Sequence, residues 1–186
     1  MAADPLAAEI VAFWADAGPD AWFAKDDGFD ARCRHYEAAH MAAAARRHDG
    51  WLETAEGALA LVLLLDQFPR NLYRDTAHAF ATDPLALHVA DVAIARGHDA
   101  AVAGDLALFF YLPFEHAEDA VAQAQSIALT ARLRDRTERA DDYIRYAQLH
   151  AEVIDRFGRF PHRNSALGRE TTAEEQAYLD EGGFAG

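Results

Sequence analysis

Cysteine is almost missing from the chain. Cys33 stands alone, so no intrachain disulfide can form, and a reduced, cytoplasmic setting is the default expectation. Lysine is as scarce, with Lys25 the only one. Every other fixed cation is therefore a planar guanidinium, suited to gripping carboxylates or phosphates in bidentate fashion. Basic residues are themselves outnumbered, 17 against 31 acidic ones, for a formal net charge of -14. Phosphate neutralisation needs Lys and Arg that dominate their neighbourhood, so no nucleic-acid surface is expected, nor one for an anionic membrane. The longest apolar run, ALALVLLL at 58–65, is far short of a bilayer span, and the opening MAADPLAAEI lacks the regions of a secretory signal. There is no His-x-x-x-His, no paired-cysteine signature, no Gly-x-Ser-x-Gly and no glycine-rich phosphate loop. No metal is expected, and no cofactor is indicated.

What is present is helix punctuation. The 186 residues, about half of them apolar, suit one domain spanning 1–186. β-Branched residues are sparse, and the fold class read from the sequence is all-α: an antiparallel bundle or short right-handed superhelix of about seven to eight helices. Asp4-Pro5 opens a helix that Gly18-Pro19 closes, and Asp83-Pro84 opens another that stops near Gly97. Long helices are predicted from about Phe29 to Arg47 and from about Thr54 to Phe68, where Pro69 forbids continuation. A longer one follows Pro113 without a breaker, and the next ends at Gly158. Thr172 with Glu175 reads as a capping box for a short terminal helix.

Two stretches echo each other. LDQFPRNLYR at 65–74 and FGRFPHRN at 157–164 both join Phe-Pro to a basic residue and asparagine. In the first, Asp66, Arg70, Asn71 and Arg74 gather at the end of a helix apolar on every side, where each buried polar group needs a partner. In the second, Arg159, His162, Arg163 and Asn164 lie in a loop that the phenylalanines pin. So much cation needs an anion, supplied either by the Asp and Glu of neighbouring helices or by a ligand carboxylate or phosphate. Between the echoes, FFYLPFEHAED at 109–119 sets Glu115 beside His116 after a buried aromatic run, with Glu118 and Asp119 expected in a first helical turn. A carboxylate and an imidazole in a partly dry pocket are the materials of proton transfer, and His150 on the following helix can face the same space.

These segments, LALVLLLDQFPRNLYRDTAHAFATD, YLPFEHAED and HAEVIDRFGRFPHRNSALGRE, with the early FWADAGPDAWFAKDDGFD, resemble the bacterial family known as domain of unknown function 924. The resemblance runs in order over nearly the whole chain and implies an all-helical fold similar to tetratricopeptide-repeat proteins, without supplying a reaction. Ala117 stands where that motif usually carries serine.

Two functional readings follow. In one, Arg70, Arg74, Arg159 and Arg163 hold an anionic small molecule that Asn71, Asn164 and His162 orient. Glu115 and His116 then act as acid and base in hydrolysis or proton transfer, with Asp66 or His150 fixing the imidazole. In the other, stacked helices present a groove to a protein partner and the arginines are internal ties.

Overall fold

The computed structural model describes residues 4–184, and among them every regular element is helical. In chain order the α-helices are α1 (Pro5–Ala17), α2 (Pro19–Trp22), α3 (Asp27–Cys33), α4 (Glu37–Ala44), α5 (Ala55–Val62), α6 (Phe68–Leu72), α7 (Asp83–Ala95), α8 (Gly104–Ala107), α9 (Leu112–Glu115), α10 (Ala120–Thr130), α11 (Ala140–Phe157) and α12 (Ala173–Asp180). The all-α class holds, but the helices are shorter and more numerous than expected. Punctuation explains several of their ends. Asp4 Oδ1 accepts the Leu6 N–H at 2.9 Å ahead of Pro5. Gly158 closes α11 in the left-handed region, φ 68°, where a side chain would be strained. Thr172 and Glu175 cap reciprocally at 3.2 and 2.8 Å.

Four expected helices or caps differ, each for a local reason. The 29–47 helix is interrupted by a 3-10 turn at Arg34–Tyr36, which sets Tyr36 against Phe13 and Phe68 with its hydroxyl donated to Glu9 at 3.0 Å. Pro69 does not end its helix either. The chain widens into a π-turn over Leu63–Gln67, with the Phe68 N–H reaching back to the Leu63 carbonyl, and then continues as α6. The Leu65 carbonyl, which a regular helix would pair with the N–H that Pro69 lacks, accepts the Thr82 hydroxyl at 2.5 Å instead. Asp83 is not a cap: it is the first residue of α7, and its carboxylate faces arginines. The long helix after Pro113 breaks at His116–Asp119, because Asp119 turns outward to cap α10 by accepting the Ala122 N–H at 2.8 Å. Glu118 lies in that break rather than in a helical turn.

The core forms around α5, whose run from Ala58 through Leu65 is buried throughout; each fully buried leucine there contributes about 2 kcal/mol. Trp14 of α1 packs on it within a cluster of Phe29, Phe68 and Phe109, at ring-centroid distances of 5.3 to 5.6 Å. Gly57 is required by close approach, since a Cβ there would meet the Trp51 carbonyl at 2.3 Å. Helix α7 covers α5, α9 packs on α7 and α10, and α10 lies along α11. A smaller apolar cluster of Val153, Ile154 and Phe160, with Phe157, Tyr178 and Phe184, pins the second Phe-Pro turn against α11 and α12. Among the described residues no helix is long and apolar enough to cross a membrane.

Candidate active site

The π-turn, the break after α9 and the second Phe-Pro turn meet at one cavity of about 700 Å³. Asp66, fully buried at the π-turn, stands behind its inner wall, in contact with the lining residues Gln67, Arg70 and His116. Its Oδ1 faces His116 Nδ1 at 2.8 Å and Arg70 Nη1 at 3.3 Å, while Gln67 donates to Oδ2 at 2.6 Å. Burial alone would raise the Asp66 carboxyl, but Arg70, His116 and Gln67 outweigh it and hold the group well below the usual carboxylate range. His116 is lowered too, but toward its neutral form: burial, then the nearby Arg70 charge, bring it to about 4 against the pull of Asp66. At neutral pH the pair is therefore an ionised carboxylate and a neutral imidazole. Nδ1 carries the proton toward Asp66, which leaves the lone pair on Nε2.

A second carboxylate–imidazole pair stands beside the first. Glu115, buried on α9, has Oε1 2.9 Å from His150 Nδ1 on α11, and Nδ1 also lies 2.9 Å from the Tyr146 carbonyl. Two acceptors around Nδ1 place its proton there too. The His116 and His150 rings cross at 61° with centroids 6.0 Å apart, both on the cavity wall. Among the described residues, neither ring's Nε2 has a protein partner. Ser126, 3.5 Å from Glu115 Oε2, reaches the carboxylate from behind.

Arg70 and Arg163, the basic residues preceding each asparagine, converge on Asp83. Arg70 grips it bidentately at 2.9 and 3.1 Å, and Arg163 Nη1 reaches it at 3.3 Å and donates to the His116 carbonyl at 3.0 Å. The Arg163 guanidinium is sandwiched between the Phe160 and Phe80 rings, 4.4 and 4.7 Å from their centroids. Burial and the Arg70 charge lower Arg163 to about 10, so it remains a cation at neutral pH. Its Nε is buried with no partner among the described residues, as is Nδ1 of His162. Burial, and the charge of Arg163 beside it, lower His162 to about 3.

The remaining candidates divide. Asn71 and Arg74 reach the cavity edge, but both are tied to Asp30, Asn71 at 2.8 Å and Arg74 bidentately at 2.5 and 2.8 Å. Arg159 and Asn164 do not line the cavity. Glu175 takes both, Arg159 at 2.6 and 2.8 Å and Asn164 at 3.2 Å. Arg169 clasps Glu118 at 2.6 and 2.9 Å, and Glu118 also accepts the Phe160 N–H at 2.7 Å. For these arginines the counter-charge is internal. Sequence reasoning missed Asp83, read as a cap, and the mouth residues Lys25, Arg139 and Arg145, which carry no motif. It also passed over Glu37 and His40, a Glu-x-x-His spacing. There Glu37 accepts the Tyr73 hydroxyl at 2.9 Å, and buried His40 sets Nδ1 2.8 Å from the Leu64 carbonyl. Among the described residues, no three His, Cys, Asp or Glu side chains gather as metal ligands.

The bacterial family of proteins of unknown function DUF924 matches residues 10–183. The solved structure of ATU0120, a protein of unknown function from Agrobacterium tumefaciens, superposes with a TM-score of 0.89 at 56% identity, covering 95% of this chain and 97% of that one. No curated protein matches. The chain belongs to the DUF924 family.

Proposed function

We propose that this DUF924 member binds a small anionic molecule in the cavity and moves a proton on it, either from carbon or from a bound water that then hydrolyses it. One observation carries the reading: two imidazoles, each backed at Nδ1 by a buried carboxylate, stand side by side with both Nε2 atoms unpartnered among the described residues. His116, neutral and aimed by Asp66, is the base. The positive charge its ring gains on taking a proton is stabilised by the carboxylate 2.8 Å away. His150, aimed by Glu115, is the second proton carrier, and Arg163, on the cavity wall, orients the anion.

The lining favours anions at the approach as well. Six Lys and Arg side chains border the cavity against three carboxylates, Asp75, Glu115 and Asp142, the reverse of the chain's acidic balance. Behind the wall Asp30, Asp66 and Asp83 neutralise the inner arginines, so the attraction comes from the cations at the mouth rather than from a surplus of buried charge.

The test is incubation of a panel of carboxylic acids and phosphate monoesters in deuterated buffer, followed by NMR for C–H exchange and for ester cleavage. Turnover by the parent that His116→Asn reduces at least about 100-fold is the expected result. Equal rates for parent and variant across every panel member that reacts would overturn it. The protein-partner reading draws support from the full pairing of Arg74, Arg159 and Arg169, which are ties between helices.

A further inference from the structure

The cavity has a second wall that proton chemistry does not use. Beside the dyads it is bordered by Trp22, Phe23, Leu108, Leu112, Tyr146 and Phe184. Phe23 is 56% exposed and Tyr146 45%, so two of the four exposed large hydrophobic side chains among the described residues stand at this one mouth. The Trp22 indole N–H is spent on the Trp14 carbonyl at 2.6 Å, which leaves an apolar ring edge toward the cavity. Phe109 supports the group from behind, near-parallel to Phe23 at 6.3 Å and edge-on to Trp22 at 4.8 Å. Phe184 lies edge-on to the His150 ring at 4.5 Å, so the apolar wall runs directly into the second dyad.

Size points the same way. A bare carboxylate or phosphate engaging Arg163 would fill a small part of about 700 Å³, a volume in the range that takes a drug-sized ligand, and would leave the aromatic wall wet. The geometry points to an amphipathic substrate: a carboxylate or phosphate head at Arg163 and the two imidazoles, joined to an aromatic or aliphatic body that lies on Phe23, Trp22 and Tyr146. This rests on the anion-site reading and adds that the apolar body supplies much of the affinity, through water released from both surfaces.

Calorimetric titration tests it with phenylacetate against acetate, phenyl phosphate against inorganic phosphate, and benzyl alcohol as the uncharged control. On the parent, each phenyl-bearing anion is expected to bind at least about 10-fold more tightly than its unsubstituted partner and than benzyl alcohol. Phe23→Ser and Tyr146→Ser, at exposed positions that do not endanger folding, are expected to remove most of that gain and leave acetate and phosphate unchanged. Arg163→Gln is expected to weaken all four anions. Phenyl anions that bind no better than acetate and phosphate, while those still bind, would overturn the apolar wall and spare the anion site. Benzyl alcohol binding as tightly as phenylacetate would overturn the anion site and spare the apolar wall, and a parent that binds none of the anions would overturn both.

Discussion

At Phe68-Pro69 and at Phe160-Pro161 the chain ties two polar knots from the same materials, and they differ in what they leave over. Each begins with a fully buried phenylalanine. Each uses one of the chain's two asparagines, Asn71 and Asn164, to donate to a carboxylate that an arginine also grips bidentately: Asp30 with Arg74 in the first, Glu175 with Arg159 in the second. The residue before each asparagine, Arg70 or Arg163, turns inward to Asp83. The first knot sits inside a helix, and its guanidinium is satisfied by Asp83 and the Asp66 carbonyl. In the second, His162 is inserted between the proline and the arginine, and two buried nitrogens, His162 Nδ1 and Arg163 Nε, have no partner among the described residues. A buried polar nitrogen without a partner costs about 1 to 3 kcal/mol, so the second knot carries a penalty that the first avoids. The first turn is thus fully paired and presents Asp66 to His116, while the second carries unmet polar groups beside the cavity.

Breaking the point where the knots meet has the largest expected effect. Asp83→Asn leaves two inward guanidinium groups short of their shared counter-charge, and a loss of about 3 to 5 kcal/mol in urea unfolding is expected. A loss under about 1 kcal/mol would mean that the turns do not depend on each other. Acidification comes next and separates the turns, because only the second carries a histidine. His116 and His162 are neutral when folded, lowered to about 4 and about 3, whereas in the unfolded chain they protonate near the ordinary value of 6.5. Their stabilisation is complete above pH 6.5 and is lost as pH falls toward 4 and then 3, on the order of 3 kcal/mol for His116 over the full range. His162→Gln should flatten the part of that loss that belongs to the second turn. Stability curves of equal slope for parent and variant would refute it.

The asparagines test whether the knots are equivalent. Asn71→Ala and Asn164→Ala each leave a buried carboxylate short of a donor, and each is expected to cost about 1 to 3 kcal/mol by the same unfolding assay. A large inequality would show that one knot bears most of the load. The smallest effect is expected at Gly158, which enters the second turn at φ 68°. Gly158→Ala should cost about 1 kcal/mol without altering the protonation of His116, and a larger loss would indicate that the entry to the loop positions the site.

Much of this was legible in the residues before the fold was known. Asp66, Glu115, His116 and His150 do meet, because the polar residues interrupting the apolar run and the aromatic run mark where buried helices end. The two Phe-Pro echoes also reach one cavity, through Arg70 and Arg163. What stayed hidden was pairing. Asp83 has the local grammar of a helix cap, and its role depends on residues 13 and 80 positions away. Glu175 fits a capping box and serves as one, yet it also clasps Arg159, so the local pattern concealed the tertiary contact. The π-turn escaped for a similar reason: Pro69 signals a broken hydrogen bond, but whether the helix stops or bulges depends on Thr82 being there to take the freed carbonyl. The apolar wall was illegible because Phe23 and Tyr146 have no pattern that separates a cavity lining from a core.

The protonation of His116 is the most direct measurement. With imidazole nitrogens labelled, NMR between pH 4 and 8 should show a neutral ring throughout the neutral range, protonated on Nδ1 with Nε2 free, and titrating only near pH 4. A ring that titrates near 6.5, or that carries its neutral proton on Nε2, would contradict the Asp66–His116 base on which the functional reading stands.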